Sequence, residues 1–171
     1  AQMIRSSTIE ALVNCTTDVQ KSIHRLEDMG IELSAVRYRV AVFDMDIYSG
    51  MYQIDMKKQQ ESALMAFVLF NVSDEIVTRE DAGIAYQESG NRVSILFQEK
   101  WNHNFTRKTR EICQEIQEKI KELMGIEVSM GIGSWVKHPE ELLISHSQAE
   151  QALQYRYLLG GNLLIDMEEQ H

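Results

Sequence analysis

The sequence predicts an α+β fold of the ferredoxin-like, split βαβ kind, a sheet-and-helix sandwich preceded by a helical lead. Three observations carry this expectation. Apolar residues recur at helical spacing in four separate stretches. Short apolar runs of strand length lie between them, and a Gly-Asn turn joins two of those runs as a hairpin. The 171 residues, 44% hydrophobic and 25% charged, suit one globular domain that buries a core without disulfide staples.

The lead comes first. Ile9, Leu12, Val19, Ile23 and Leu26 recur at threes and fours, a short seam that could pair with its own copy or pack on the domain. Asn14-Cys15-Thr16-Thr17 is a poor helix interior, and Thr17 with Gln20 fits a capping box. Two helices are therefore expected, broken near Thr16 and ending at Gly30, packed on the domain rather than in a coiled coil. Residues 1–35 form the lead and residues 36–171 the domain.

Residues 36–43 alternate and then become continuously apolar, as a strand entering the middle of a sheet does. Residues 55–78 carry Leu64, Phe67, Val68, Val72 and Ile76 at helical spacing. Two strands follow, 83–87 and 92–98, around Glu88-Ser89-Gly90-Asn91. Residues 105–124 form a helix stopped by Gly125, and 126–132 another strand. Pro139-Glu140-Glu141 opens a last helix, proline in the first turn and acids at the positive end of the dipole. It runs to about residue 159, before Gly160-Gly161-Asn162 and a final strand at 163–165. The helices should cover one face of a mostly antiparallel sheet.

Charge and motifs exclude several functions. Seventeen Lys and Arg against twenty-six Asp and Glu give a net charge of −9, which opposes direct contact with nucleic acid, since that binding neutralises phosphates. The longest apolar run, residues 63–70, has eight residues, against about 20 for a membrane span, so no membrane partner is expected. Cys15 and Cys113 lack metal or redox spacing and read as free thiols in a reducing cytoplasm. Gly131-Ile132-Gly133 lacks the third glycine of a dinucleotide loop. His24, His103, His138, His146 and His171 show no zinc spacing. The small basic clusters, Lys57-Lys58 and Arg107-Lys108 with Arg110, read as solvated helix faces. Met51, Met56 and Met65 read as core filler, and Trp101 and Trp135 as packing aromatics.

Asp44 and Asp46 end the first strand, where α/β sheets open their ligand crevice. Paired carboxylates there suit Mg²⁺ beside phosphates; the alternative, which the spacing alone favours, is that they cap a turn through Asx hydrogen bonds.

Several segments together resemble a known family. Val40-Ala41-Val42-Phe43-Asp44-Met45-Asp46 is similar to the first strand of GGDEF domains, and Glu88 to Leu96 stands where those domains carry their signature hairpin. Val128-Ser129-Met130-Gly131-Ile132-Gly133 and the stretch from Ala149 to Asn162 resemble their later strand and closing helix. The nearer likeness is to the degenerate GGDEF-like domain of YesN-type response regulators. There a phosphoacceptor receiver and an AraC-type helix-turn-helix domain share the chain.

The resemblance implies the nucleotidyl cyclase palm as fold, a cytoplasmic bacterial setting and a relay or dimerisation role in transcription regulation. Its partners would be those two domains of the parent chain and a second copy of this one. The departures imply more. The hairpin carboxylates of a cyclase are Asn91 and Arg92 here, and Arg92 places positive charge where Mg²⁺ would sit. The phosphate-contacting lysine of the closing helix is Tyr157, and the Phe-Lys after the Asp-x-Asp is Tyr48-Ser49. The expectation is therefore no enzyme activity, no catalytic residues, no metal and no cofactor. Asp44, Asp46, Asn91 and Arg92 remain as candidates lining a vestigial crevice, open to a nucleotide or another metabolite.

Overall fold

The computed structural model describes residues 2–46, 56–100 and 104–169. The readings at Tyr48, Ser49, Met51, Trp101, His103 and His171 lie outside these, as do the side chains of Met56, Lys57, Lys58 and Tyr157. Helices α1 (Gln2–Val13) and α2 (Val19–Asp28) precede strand β1 (Arg37–Met45) and helix α3 (Met56–Arg79). The hairpin β2 (Gly83–Glu88) and β3 (Arg92–Glu99) leads to α4 (Thr106–Met124) and β4 (Val128–Ile132). A 3-10 turn at Pro139–Glu141 opens α5 (Leu142–Leu153), followed by α6 (Arg156–Leu159) and β5 (Leu164–Asp166).

The sheet runs β2-β3-β1-β4-β5. Its first four strands pair antiparallel and β5 joins β4 in parallel. This is the split βαβ arrangement with one strand added, so the mixed α+β class and the cyclase-palm architecture hold.

Strand parity sorts the two faces. Ala41, Phe43, Met45, Val93, Ile95 and Phe97 point to one side, where Ala66, Leu69 and Phe70 of α3 and Ile112 and Ile116 of α4 cover them. Tyr38, Val40, Val42, Ile84, Tyr86 and Leu96 point to the other, against Ile9 and Leu12 of α1, Leu26 of α2, and Leu142, Ala149 and Leu153 of α5. Helices thus cover both faces, which corrects the one-face expectation. The lead supplies part of the second layer, because its apolar seam is buried on the sheet.

Two boundaries also differ from the sequence reading. The cap of α2 is Asp18, whose carboxylate accepts the Lys21 N–H, while the Thr17 hydroxyl pairs with that of Ser22. The last helix breaks at Gln154 and Tyr155, which separate α5 from α6. Gly131 and Gly133 let α5 lie backbone-close on β4. A Cβ at Gly133 would stand 1.9 Å from the Ser145 carbonyl oxygen, and one at Gly131 2.2 Å from that of Ala149.

Candidate functional site

The parity that builds the core also builds a polar crevice. Asp44, Arg92 and Glu88 fall on the α5 side of β1, β3 and β2. Glu88 is the registered partner of Arg92, and Asp44 stands one step beyond the Phe43–Val93 pair. Three charged residues therefore line up across three strands at one level, within reach of one another's side chains. Helix α5 lays His146 and Glu150 over this row, four residues apart on one helical face.

Arg92 is held on Asp44 by two hydrogen bonds, Nη2 to Oδ2 at 3.1 Å and Nε to Oδ1 at 3.3 Å. Its Nη1 donates to Glu150 Oε2 at 2.7 Å. Arg156, at the start of α6, brings Nη1 within 3.1 Å of the same Asp44 Oδ2. Burial opposes the Arg92 charge, but neighbouring Asp44 and Glu150 outweigh it and raise the pKa. His146 Nε2 lies 2.5 Å from Glu88 Oε1 and Nδ1 3.2 Å from Glu150 Oε1. Tyr86 closes the inner end, its hydroxyl 3.5 Å from Glu88 Oε1. The result is an alternating chain, Glu88, His146, Glu150, Arg92, Asp44, Arg156. Beside it opens a cavity of about 400 Å³ lined by Asp44, Arg92, Glu150, Leu153, Gln154 and Arg156.

The other candidates separate from this crevice. Asp46 accepts the Ser129 hydroxyl and the Asn162 N–H, both at 2.7 Å, and so caps the turn before β5. Asn91 is an exposed turn residue with φ +64°, next to Gly90 at φ +83°. Glycine and asparagine are the residues that adopt positive φ in such a turn at least cost. Sequence reasoning missed Arg156, His146 and Glu150, because only the packing of α5 against the hairpin brings them to Asp44. Arg110 also departs from its reading as a solvated residue: it pairs with Glu169 and approaches Asp166.

Mg²⁺ does not fit these donors. Both Asp44 oxygens face arginine nitrogens and both Asp46 oxygens accept hydrogen bonds, whereas Mg²⁺ needs oxygen lone pairs turned to it. Among the described residues no group of three His, Cys, Asp or Glu is placed to hold a metal. Among them, too, no helix is long and apolar enough to cross a membrane.

The family model for the GGDEF-like domain matches residues 16–155. One similar solved structure is the active GGEEF domain of a diguanylate cyclase from Vibrio cholerae. It is 13% identical, covering 84% of this chain and 87% of that one, with a TM-score of 0.55. Another is the coiled coil and GGDEF domain of DgcB from Caulobacter crescentus in complex with c-di-GMP. It is 18% identical, covering 96% of this chain and 88% of that one, with a TM-score of 0.54. Among curated proteins none matches this chain in sequence. The structural neighbours correct the expectation of a chain without enzyme activity: this is a fold in which diguanylate cyclase domains are built, an active one among them.

Proposed function

The chain belongs to the GGDEF-like domain family, and from that premise we propose that it is a signal-relay domain of a cytoplasmic bacterial transcription regulator. Its input is a phosphoacceptor receiver and its output an AraC-type DNA-binding domain, both in the parent chain, with a second copy as dimer partner. The acidic surface, net charge −9, leaves DNA contact to the other domain.

The observation that carries this reading is the stitching of α1 to the hairpin. The Gln87 N–H of edge strand β2 donates to Ser6 Oγ at 3.1 Å. At the hairpin tip, Glu10 accepts both the N–H of Ser89 at 3.1 Å and its hydroxyl at 3.2 Å. The same hairpin carries Glu88 and Arg92 into the crevice. A displacement of α1 therefore acts on the charged chain, and occupancy of the crevice acts back on α1, as reciprocal linkage requires.

Glu10→Ala tests the relay. Amide exchange over residues 86–91 should quicken several-fold while β1 and β3 stay protected. In the parent regulator, reporter transcription should cease to follow receiver phosphorylation. Unchanged exchange, or a reporter that still follows phosphorylation, sinks the reading.

A second reading, a nucleotide or metabolite sensor in the same crevice, is favoured by the 400 Å³ cavity between two arginines and two carboxylates. Incubation with GTP and Mg²⁺, followed by chromatography of bound and released nucleotide, separates sensing from turnover to a cyclic product.

A further inference from the structure

The crevice is built in the opposite electrical sense to a metal site. Two guanidiniums converge on a single carboxylate, and Asp44 Oδ2 is shared between Arg92 Nη2 and Arg156 Nη1, each at 3.1 Å. The Arg156 side chain is 10% exposed, and that of Asp44 23%. Glu150, which takes the other end of Arg92, stands at the rim with 44% exposure. A divalent cation entering here would stand beside two fixed positive charges, both of which repel it.

We propose that this crevice is a phosphate-binding site that works without a divalent cation, Arg92 and Arg156 supplying the positive charge and Asp44 occupying the seat when no ligand is bound. The proposal rests on the sensor reading above and gives it a ligand class, a phosphoryl anion. Guanidinium forks match phosphate as they match carboxylate, through paired N–H donors. A phosphate offers three acceptor oxygens and up to two negative charges, so it can engage both forks at once. Asp44 must instead share one oxygen between them. The cavity, about 400 Å³, lies at the small end of ligand pockets and accommodates a phosphate with a modest body. Leu153 and Gln154 supply an apolar contact and an amide beside it. A phosphoryl group that engages both forks displaces Asp44 from them.

Asp44 is therefore the competitor of the ligand, where in a metal site it would be the anchor, and the two cases predict opposite effects of one substitution. The experiment is calorimetric titration of the whole chain with phosphate, pyrophosphate and GTP, first in EDTA and then with Mg²⁺. Binding of at least one of them in EDTA is expected. Asp44→Asn should tighten it several-fold, and Arg92→Gln and Arg156→Gln should each weaken it about tenfold or more. Pyrophosphate binding as well as GTP marks the bare phosphoryl group as the determinant; GTP alone marks a nucleotide.

Binding that needs Mg²⁺ and is lost in Asp44→Asn overturns the proposal while leaving a nucleotide sensor standing. Binding in EDTA that neither arginine substitution weakens overturns it as well, since the ligand then sits elsewhere. No binding of any probe to 10 mM (roughly tenfold above the ordinary upper KM range) overturns the proposal and the nucleotide form of the sensor reading together, leaving only a metabolite without phosphate. Circular dichroism checks that each variant folds. Should Asp44→Asn fail to fold, the two arginine substitutions decide the matter alone.

Discussion

At the scale of single residues, His146 has the clearest solution signature. Burial works against its protonation, but the hydrogen bond to Glu88 and the charge of Glu150 outweigh burial, so its pKa is raised above the ordinary 6.5. Glu88 is the mirror case: burial pushes it up, the His146 bond pulls it further down, and the net pKa lies below the ordinary 4.5. Arg92 also faces His146 and opposes its charge, while Tyr86 packs beside Glu88 and the more distant Glu10. A base with a raised folded pKa stabilises fully below its unfolded value and loses that contribution as pH rises through the folded one. An acid with a depressed folded pKa does the reverse. The pair is therefore at full strength between about pH 4.5 and 6.5 and fades above and below. Urea unfolding should show stability falling from pH 6 to pH 8.5, and His146→Gln should flatten that alkaline slope. Equal slopes in the two proteins would mean that His146 does not hold Glu88.

None of this was legible in the sequence, where His146 was one of five histidines without metal spacing and Glu88 the approach to a turn. The Asp44–Arg92 contact was half legible: the resemblance put Arg92 beside the Asp44 position, but the second arginine was not foreseen. The reading there rested on Tyr157 replacing a lysine, and the cation that reaches Asp44 comes from the residue before it.

Elements were read with more success than contacts, because periodicity and punctuation are local while packing is not. The break in the lead, the hairpin turn, the Gly125 stop and the Pro139 start each rest on a few adjacent residues, and each is where the sequence places it. The α2 cap was misassigned by one position because Thr17 and Asp18 are both competent, and Thr17 is engaged instead by the Ser22 hydroxyl. The second helical layer was missed because a lead and a core helix share one apolar pattern. Gly131-Ile132-Gly133 lacks the third glycine of a dinucleotide loop, and its purpose in the fold is tertiary: the glycines leave room for the α5 backbone.

That purpose gives a prediction at this scale. In Gly133→Ala the new methyl would overlap the Ser145 carbonyl, so α5 must lift and strain the 2.9 Å bond from the Val40 N–H to Ser145 Oγ. The cost should reach about 3 kcal/mol, the upper end for overpacking, read as a lower urea midpoint at unchanged slope. Gly30→Ala is the control. Nothing lies within 4 Å of its Cβ position and only φ +83° opposes it, for about 1 kcal/mol. Equal losses at the two sites would refute the close approach of α5 to β4.

At the scale of the whole molecule, buried charge gathers at two ends of the sheet. One end is the crevice. At the other, Arg39 of β1 is fully buried and donates to the Gly133 carbonyl at 2.8 Å, to Thr109 Oγ1 at 3.2 Å and to both Asp166 oxygens. The Trp135 ring lies beside Arg37 and Arg39, 4.2 and 5.1 Å from ring centre to guanidinium carbon. Its backbone N–H donates to Glu168 at 2.8 Å. Asp166 closes β5, a strand of three residues with a single parallel neighbour. A strand that short contributes little by its own ladder, so side-chain bonds hold the last segment: the Asp46 cap on Asn162, Arg110 with Glu169, and the fully buried Arg39–Asp166 pair that ties β5 to the first strand. Asp166→Asn leaves a buried guanidinium without its counter-charge, a change worth about 3–5 kcal/mol. In a domain of this size each kcal/mol lowers Tm by about 2–4 °C, so melting should fall by roughly 10 °C and amides of residues 164–166 should lose protection. The double substitution Arg39→Met with Asp166→Leu removes both charges together and should recover most of that loss, since a buried pair replaced by apolar groups is often neutral in stability. A single substitution that melts within 2 °C of the parent would show that β5 is held by its ladder and its other side-chain bonds, and that the buried pair adds little to them.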